Sequence, residues 1–370
     1  MEEPRKIVLV LGNGFDLDLG LKTSYKDFWV SDNCPKIYPA PIIHYLNGHW
    51  GEAIDSVRWY DLENELLNYY LTIKSKSNYD IITEEERSFL RIVKPEFWQY
   101  GIYYDKKYLQ AAYSLNDKGY LTFEDNQKNI NIPYLQDMLR PPEWRDKNAI
   151  NLIKKGLCDY LISIENHTNS KLSVASAVFY TISKAVEEDN VVDIFTFNYT
   201  KYPYEWDPKR QDYVHYVHGD CSSGVIIIGT KDYSDYNKDY DFFQKSFDPE
   251  YDPPDLVSAL NEADDIIIFG HSLGENDCQY FKSFFRHQSD NNSISKHITI
   301  FTLNDDSEMD IKRSLQKMTD NNLAVLFNKN RVHIFKTANI QDESSKFKAF
   351  LSRYTSDKND INDTMSRLGR

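Results

Sequence analysis

The stretch Ile7-Val8-Leu9-Val10-Leu11-Gly12-Asn13-Gly14-Phe15-Asp16 decides the fold. Its aliphatic run lacks the polar alternation of a half-exposed strand, so it reads as a strand buried on both faces, as in a parallel sheet covered by helices. Gly12 and Gly14 at its end let the chain turn sharply and let backbone N–H groups approach a pyrophosphate with no side chain intervening. The dinucleotide fingerprint wants a third Gly at the position of Leu17, which this sequence lacks. Taken alone, the fragment equally describes a tight strand-to-helix turn.

Runs of the same kind recur at Val191 to Phe197, Tyr213 to Val217, Val225 to Ile228, Asp265 to Phe269, Ile298 to Leu303 and Val332 to Phe335. Helical periodicity follows several of them: Cys278 to Phe285, with Asp277 placed to cap its start, Asp305 to Met318 and Ser344 to Tyr354. The fold class is therefore α/β with a mostly parallel sheet. Between the first strand and the second, residues 31–189 show almost no strand signal and read as a helical insertion. Its candidate helices are Trp59 to Ile73, Glu84 to Val93, Asn148 to Asn166 and Leu172 to Glu187. The sheet domain is then discontinuous, 1–30 and 190–355, and 356–370 form a polar, frayed tail. The middle of the insertion, from Lys94 to Leu139, is rich in Tyr and broken by Pro and Gly, and carries no assignable pattern. Lys231 to Asp255, crowded with Asp, Tyr, Lys and Phe, reads either as a flap over a site or as a solvated surface loop; composition favours the loop.

The 370 residues suffice for a well-buried core without disulfide or metal staples. Lys plus Arg total 43 against 57 for Asp plus Glu, a formal charge of -14, which disfavours a nucleic-acid partner. Cys34, Cys158, Cys221 and Cys278 are too scattered for a zinc module or a secreted framework and read as reduced thiols. The apolar run at the start is far shorter than a signal-peptide core, and no later run suits a membrane span, so the cytoplasm is the expected location.

Several strand ends carry polar residues, and in open parallel sheets that edge faces the ligand crevice. Phe195-Thr196-Phe197-Asn198 stops a buried strand at Asn198, which can hold a ribose hydroxyl or a water, or can simply close a turn through its own backbone. His218, before Gly219, has the access and the titration range of a general base, although histidines are more often structural; His215 points to the opposite face and reads as packing. Gly270-His271-Ser272-Leu273-Gly274, leading to Asp277, repeats the strand, loop, helix-start logic of the first turn and is placed to hold a ribose or phosphate. It also matches the hydrolase elbow G-x-S-x-G, but His297 and His333 sit at or within strands rather than after them, which argues against a Ser272 nucleophile. Asp61 and Glu63, at the start of a helix, are a second-tier site: acid/base groups or metal ligands in one reading, ordinary helix-dipole partners in the other.

Taken in order, Leu11-Gly12-Asn13-Gly14-Phe15-Asp16-Leu17 with Gly20-Leu21-Lys22-Thr23-Ser24-Tyr25, Asp61-Leu62-Glu63, Phe197-Asn198-Tyr199-Thr200, His218-Gly219 and Gly270-His271-Ser272-Leu273 resemble the AbiH family of phage abortive-infection proteins. That family in turn looks like a divergent sirtuin-like branch of the Rossmann-like folds, whose members bind NAD on a doubly wound sheet with a helical insert. The resemblance implies that Gly12, Asn13, Gly14, Phe15 and Asp16 form the cofactor turn, with Thr196, Gly270, His271, Ser272 and Asp277 also in the nucleotide site. It further implies that Asn198 and His218 are the catalytic pair, and that NAD is a substrate hydrolysed to release nicotinamide. Homo-oligomers or a partner protein of a defence system are also implied. No metal is expected, and the scattered cysteines do not match the zinc module of a sirtuin deacylase. Asn13 and Asp16 stand where that turn usually carries small residues. Two other classes remain open: a non-catalytic nucleotide sensor, and a metal-dependent nuclease using Asp61, Glu63 and Asp277.

Overall fold

The computed structural model describes residues 4–38, 40–51, 61–74, 137, 140–165, 173–187, 190–201, 213–232 and 237–368, with the backbone of 114–115, 120–122 and 129–131. Six strands form one parallel sheet: β1 Lys6–Leu11, β2 Val191–Thr196, β3 Val214–Tyr216, β4 Asp265–Phe269, β5 His297–Thr302 and β6 Arg331–Lys336. Their spatial order is β6-β5-β4-β1-β2-β3, so β1 lies at the centre, where the order changes direction. Leu11 pairs with Thr196 on one side and Phe269 on the other, which brings the ends of three strands level along one rim.

Alternation along β1 explains why the run is apolar throughout. Ile7, Leu9 and Leu11 pack in a core with helix Val174–Glu187 and the C-terminal helices, while Val8 and Val10 face helices Leu256–Glu262, Lys282–Gln288 and Asp305–Met318 on the other side. A third core gathers helices Tyr25–Val30, Pro41–Gly51, Leu62–Lys74 and Pro142–Ile164, closed by Tyr240 and Phe243. No described helix is long and apolar enough to cross a membrane. All four cysteines are free thiols, and Cys158 hydrogen-bonds Cys221 in this third core.

Several expectations are corrected. Ile226 to Ile228 are buried, but the run stays outside the main sheet: Val225–Ile226 folds back antiparallel onto Gly219–Asp220, since the short turn between them leaves no room for a parallel crossover. Three short antiparallel strands, Ser114–Leu115, Tyr120–Thr122 and Asn129–Asn131, occur in the stretch that had shown no pattern. The expected polar tail forms helix Lys358–Leu368, whose Ile361 is buried against the sheet core. The 231–255 stretch is not a solvated loop where it is described, because Lys238–Phe243 and Lys245–Phe247 are short helical turns with Tyr240, Phe243 and Lys245 buried. The helix expected at Glu84 to Val93 lies outside the described residues.

One buried carboxyl ties three helices of the third core together. Asp146 is fully buried and accepts from the backbone N–H of Ile42 (2.9 Å) and the hydroxyl of Tyr69 (2.6 Å). Burial pushes it up to about 7, against the pull of those two bonds. A carboxyl raised in the folded state stabilises most when protonated in both states, and that contribution is lost as pH rises from about 4 through about 7. Asp146→Asn should therefore flatten the decline in melting temperature over this range, measured by thermal unfolding at several pH values. An unchanged slope would assign the decline to other groups.

Candidate functional site

At the rim, the turns after β1 and β4 interlock. A Cβ on Gly12 would lie 2.6 Å from the His271 Cα, and one on Gly14 would lie 2.7 Å from the Gly270 Cα. Gly270 adopts φ +67, and a Cβ there would meet the Phe15 nitrogen at 2.3 Å. Glycine is thus required because two backbones touch. The contact also uses the donors expected to cradle a pyrophosphate. Gly12 N–H donates to Phe269 O (2.9 Å), Gly14 N–H to Gly270 O (2.9 Å), Phe15 N–H to Gly12 O (2.8 Å) and Gly270 N–H to Phe301 O (2.9 Å).

The turn instead holds Asn198. Its carboxamide nitrogen donates to Gly12 O (3.1 Å) and to Asp16 Oδ1 (2.9 Å), while Thr200 Oγ1 donates to Asp16 Oδ2 (2.6 Å). The reverse amide orientation would set the carbonyl oxygen against two acceptors, so this network fixes the side chain. Oδ1 of Asn198 is left buried without a hydrogen-bond partner. Thr196 supports it from behind, its Oγ1 accepting from the Asn198 backbone N–H (3.1 Å). Burial pushes Asp16 up to about 7, opposed by its bonds from Thr200 and Asn198.

A second group of charges meets at Lys245, which is 1% exposed. Its ammonium lies 2.8 Å from Asp277 Oδ1, 3.1 Å from Glu63 Oε1 and 3.4 Å from His218 Nε2. His271 accepts from Leu273 N–H at Nδ1 (3.0 Å), so its Nε2 carries the proton toward Asp277 Oδ2 (3.4 Å). Burial would raise Asp277, but Lys245, His218 and His271 override it and hold this carboxyl well below its usual range. Burial pushes Glu63 and Asp61 up. His218, enclosed by the rings of Phe197 and Tyr280, is lowered to about 3 by burial and then by Lys245. In place of the expected titration near neutrality, His218 is held neutral, its Nε2 3.4 Å from both the Lys245 ammonium and Asp277 Oδ1.

Asp16, Asn198, Asp61, Glu63, His218, His271 and Asp277 line one cleft of about 480 Å³ between the sheet rim and the helical core, the size of a small-molecule site, with Lys245 behind the lining. Of the candidate site residues, Gly12, Asn13, Asp16, Asn198, His218, Gly270, His271, Ser272, Asp277, Asp61 and Glu63 all line it. Three do not. Phe15 points into the sheet core against Phe269 and Phe179, Gly14 packs on Gly270, and Thr196 sits beneath Asn198. Asp61 also caps helix Leu62–Lys74 through Asn64 N–H (3.0 Å). Asp277 does not cap the next helix, because its carboxylate is committed to Lys245 and the helical stretch breaks into Cys278–Tyr280 and Lys282–Gln288. His215 is half-exposed on Phe195 and does not line the cleft. Lys245, Thr200, Tyr25 and Tyr199 were not singled out. The last three adjoin or lie within the quoted motifs, whereas Lys245 carried no signal in a stretch crowded with charge.

The fold and cleft define an α/β protein with a six-stranded parallel sheet and a ligand-sized crevice at the carboxyl ends of its central strands. The model of the family described as bacteriophage abortive infection AbiH matches residues 8–301, and the chain belongs to that family. No curated protein and no solved structure matches it.

Proposed function

We propose that this protein acts in abortive infection by hydrolysing NAD, releasing nicotinamide and depleting the infected cell of the dinucleotide. The observation that carries the reading is the buried, unpartnered Oδ1 of Asn198, fixed by Gly12 and Asp16 on the floor of the cleft. Its support from the fold is the strand order, which counted along the chain runs 3-2-1-4-5-6, the order of dinucleotide-binding sheets that take their ligand where the order reverses.

In this reading the bond between the nicotinamide nitrogen and the ribose anomeric carbon breaks, and its electron pair leaves with nicotinamide. The oxocarbenium-like transition state is stabilised by the carboxylates of the cleft, which act there without first having to reorganise. Asn198 Oδ1 accepts from a ribose hydroxyl or from the attacking water and so fixes its position. Water adds to the anomeric carbon and its proton passes to Asp16, whose value near 7 suits an acceptor at neutral pH. Neutral His218 positions Lys245 and Asp277 rather than taking the proton.

Purified full chain incubated with NAD, with products separated chromatographically, tests this. Nicotinamide and ADP-ribose formed in equal amounts are expected. Intact NAD after incubation with folded protein, dilute and concentrated, would contradict the reading.

A further inference from the structure

We infer that the deep end of the cleft recognises a cationic riboside, the pyridinium-riboside half of the dinucleotide, while the phosphates lie outside it, so that nicotinamide riboside alone is a ligand and a substrate. This rests on the proposed glycohydrolase reading but is separable from it.

Three observations converge. The first is charge: among the described lining residues, Asp16, Asp61, Glu63, Glu275 and Asp277 are carboxylates, and the lysine is Lys26, part-exposed on helix Tyr25–Val30. The ammonium of Lys245, behind the lining, is already directed at Glu63, Asp277 and His218. A phosphate placed here would meet buried carboxyl groups while the ammonium of Lys245 is already engaged by Glu63 and Asp277, an arrangement that costs several-fold more than it does in water. The second is the donors: the N–H groups of Gly12, Gly14, Phe15 and Gly270 all serve protein carbonyls, so the turn cannot offer them to an anion. The third is Asn198 Oδ1, the one buried atom without a hydrogen-bond partner among the described lining residues, an acceptor that matches a ribose hydroxyl and repels a phosphate oxygen.

Tyr25, Phe197 and Tyr199 also line the cleft and supply flat faces for a charged ring. Burial holds Asp16 up at about 7 and raises Glu63 and Asp61, so a cationic guest would draw their protons off. Affinity for such a guest therefore rises with pH as Asp16 ionises. The reaction balances without a co-reactant: the cationic riboside and water give neutral nicotinamide, ribose and one proton.

The test is calorimetric titration of the full chain with nicotinamide riboside and, separately, with ADP, beside hydrolysis assays on the riboside and NAD. The riboside should bind while ADP does not at the same concentration. Its affinity should rise about tenfold or more between about pH 6 and about pH 8, and Asp16→Asn, checked for folding by circular dichroism, should remove the part of the rise centred near pH 7 and leave the part above it that Glu63 sets. Release of nicotinamide from the riboside should run within about tenfold of that from NAD. Cleavage of NAD without binding of the riboside, or binding of ADP in preference to it, would overturn the inference and leave the NAD reading standing. Binding of the riboside with the stated pH dependence, but no turnover of either compound, would uphold the recognition and overturn the reaction. No binding of the riboside together with no cleavage of NAD overturns both.

Discussion

Nicotinamide release by Asn198→Ala should fall by about a hundredfold or more, because the change deletes the positioned acceptor on the cleft floor. The loss should appear in kcat more than in KM if Asn198 Oδ1 works on the attacking water rather than on bound substrate alone. Stability should change far less. The substitution leaves Gly12 O and Asp16 Oδ1 without their shared donor, a cost of about 1–3 kcal/mol that water entering the cleft reduces. Urea unfolding beside the kinetic assay separates the two effects. A folded Asn198→Ala with near-normal turnover would remove Asn198 from the chemistry.

The second large effect belongs to Lys245. Lys245→Met removes a buried ammonium that answers Asp277 and Glu63, whose side chains are 18% and 12% exposed, and should cost about 3–5 kcal/mol at neutral pH. The sign of its pH dependence follows from the directions. Asp277 is depressed in the folded protein, so its contribution holds above the usual carboxylate range and is lost only as pH falls through its lowered value. Lys245 is raised, so its contribution holds below about 10.5 and is lost only at more alkaline pH. The pair is therefore indifferent to pH across the neutral range. Without the lysine, Asp277 becomes a group raised by burial and Glu63, already raised, rises further, so the variant should be penalised less at about pH 5 than at about pH 8. His218 should titrate higher as well, since Lys245, which lowers it alongside burial and His271, is gone, and imidazole NMR reads this directly. Equal destabilisation at both pH values with an unmoved His218 would reduce Lys245 to a packing role.

The centre of the fold was legible because burial on both faces leaves an unbroken apolar run, and Ile7 to Leu11, Val191 to Thr196 and Asp265 to Phe269 all have that form. The rim followed, since the polar residues at those strand ends could only gather on one edge. The division of labour within the first turn was not legible. Phe15 stands inside the motif, yet the helical turn that begins at Asn13 aims it into the core and aims Asp16 at Asn198. The same interlock that demands glycine at 12, 14 and 270 consumes the amides that glycine was expected to expose. Lys245 was hidden for a different reason. Its burial depends on Glu63 and Asp277, far away in sequence, and nothing local distinguishes it from the lysines around it. Helix Lys358–Leu368 was missed because its apolar contacts, Ile361, Met365 and Leu368, are few within a polar stretch.

In the proposed reading, one cleft on the sheet rim receives the riboside end of a dinucleotide over Gly12, Asp16 and Asn198. A crystal structure of Asn198→Ala soaked with NAD tests it most directly, since the variant should bind without cleaving. The nicotinamide ribose is expected on the cleft floor beside Asp16, with the pyrophosphate outward on the side of Lys26. A dinucleotide seated with its pyrophosphate on the turn at Gly12 and Gly14, or bound elsewhere on the molecule, would contradict the account.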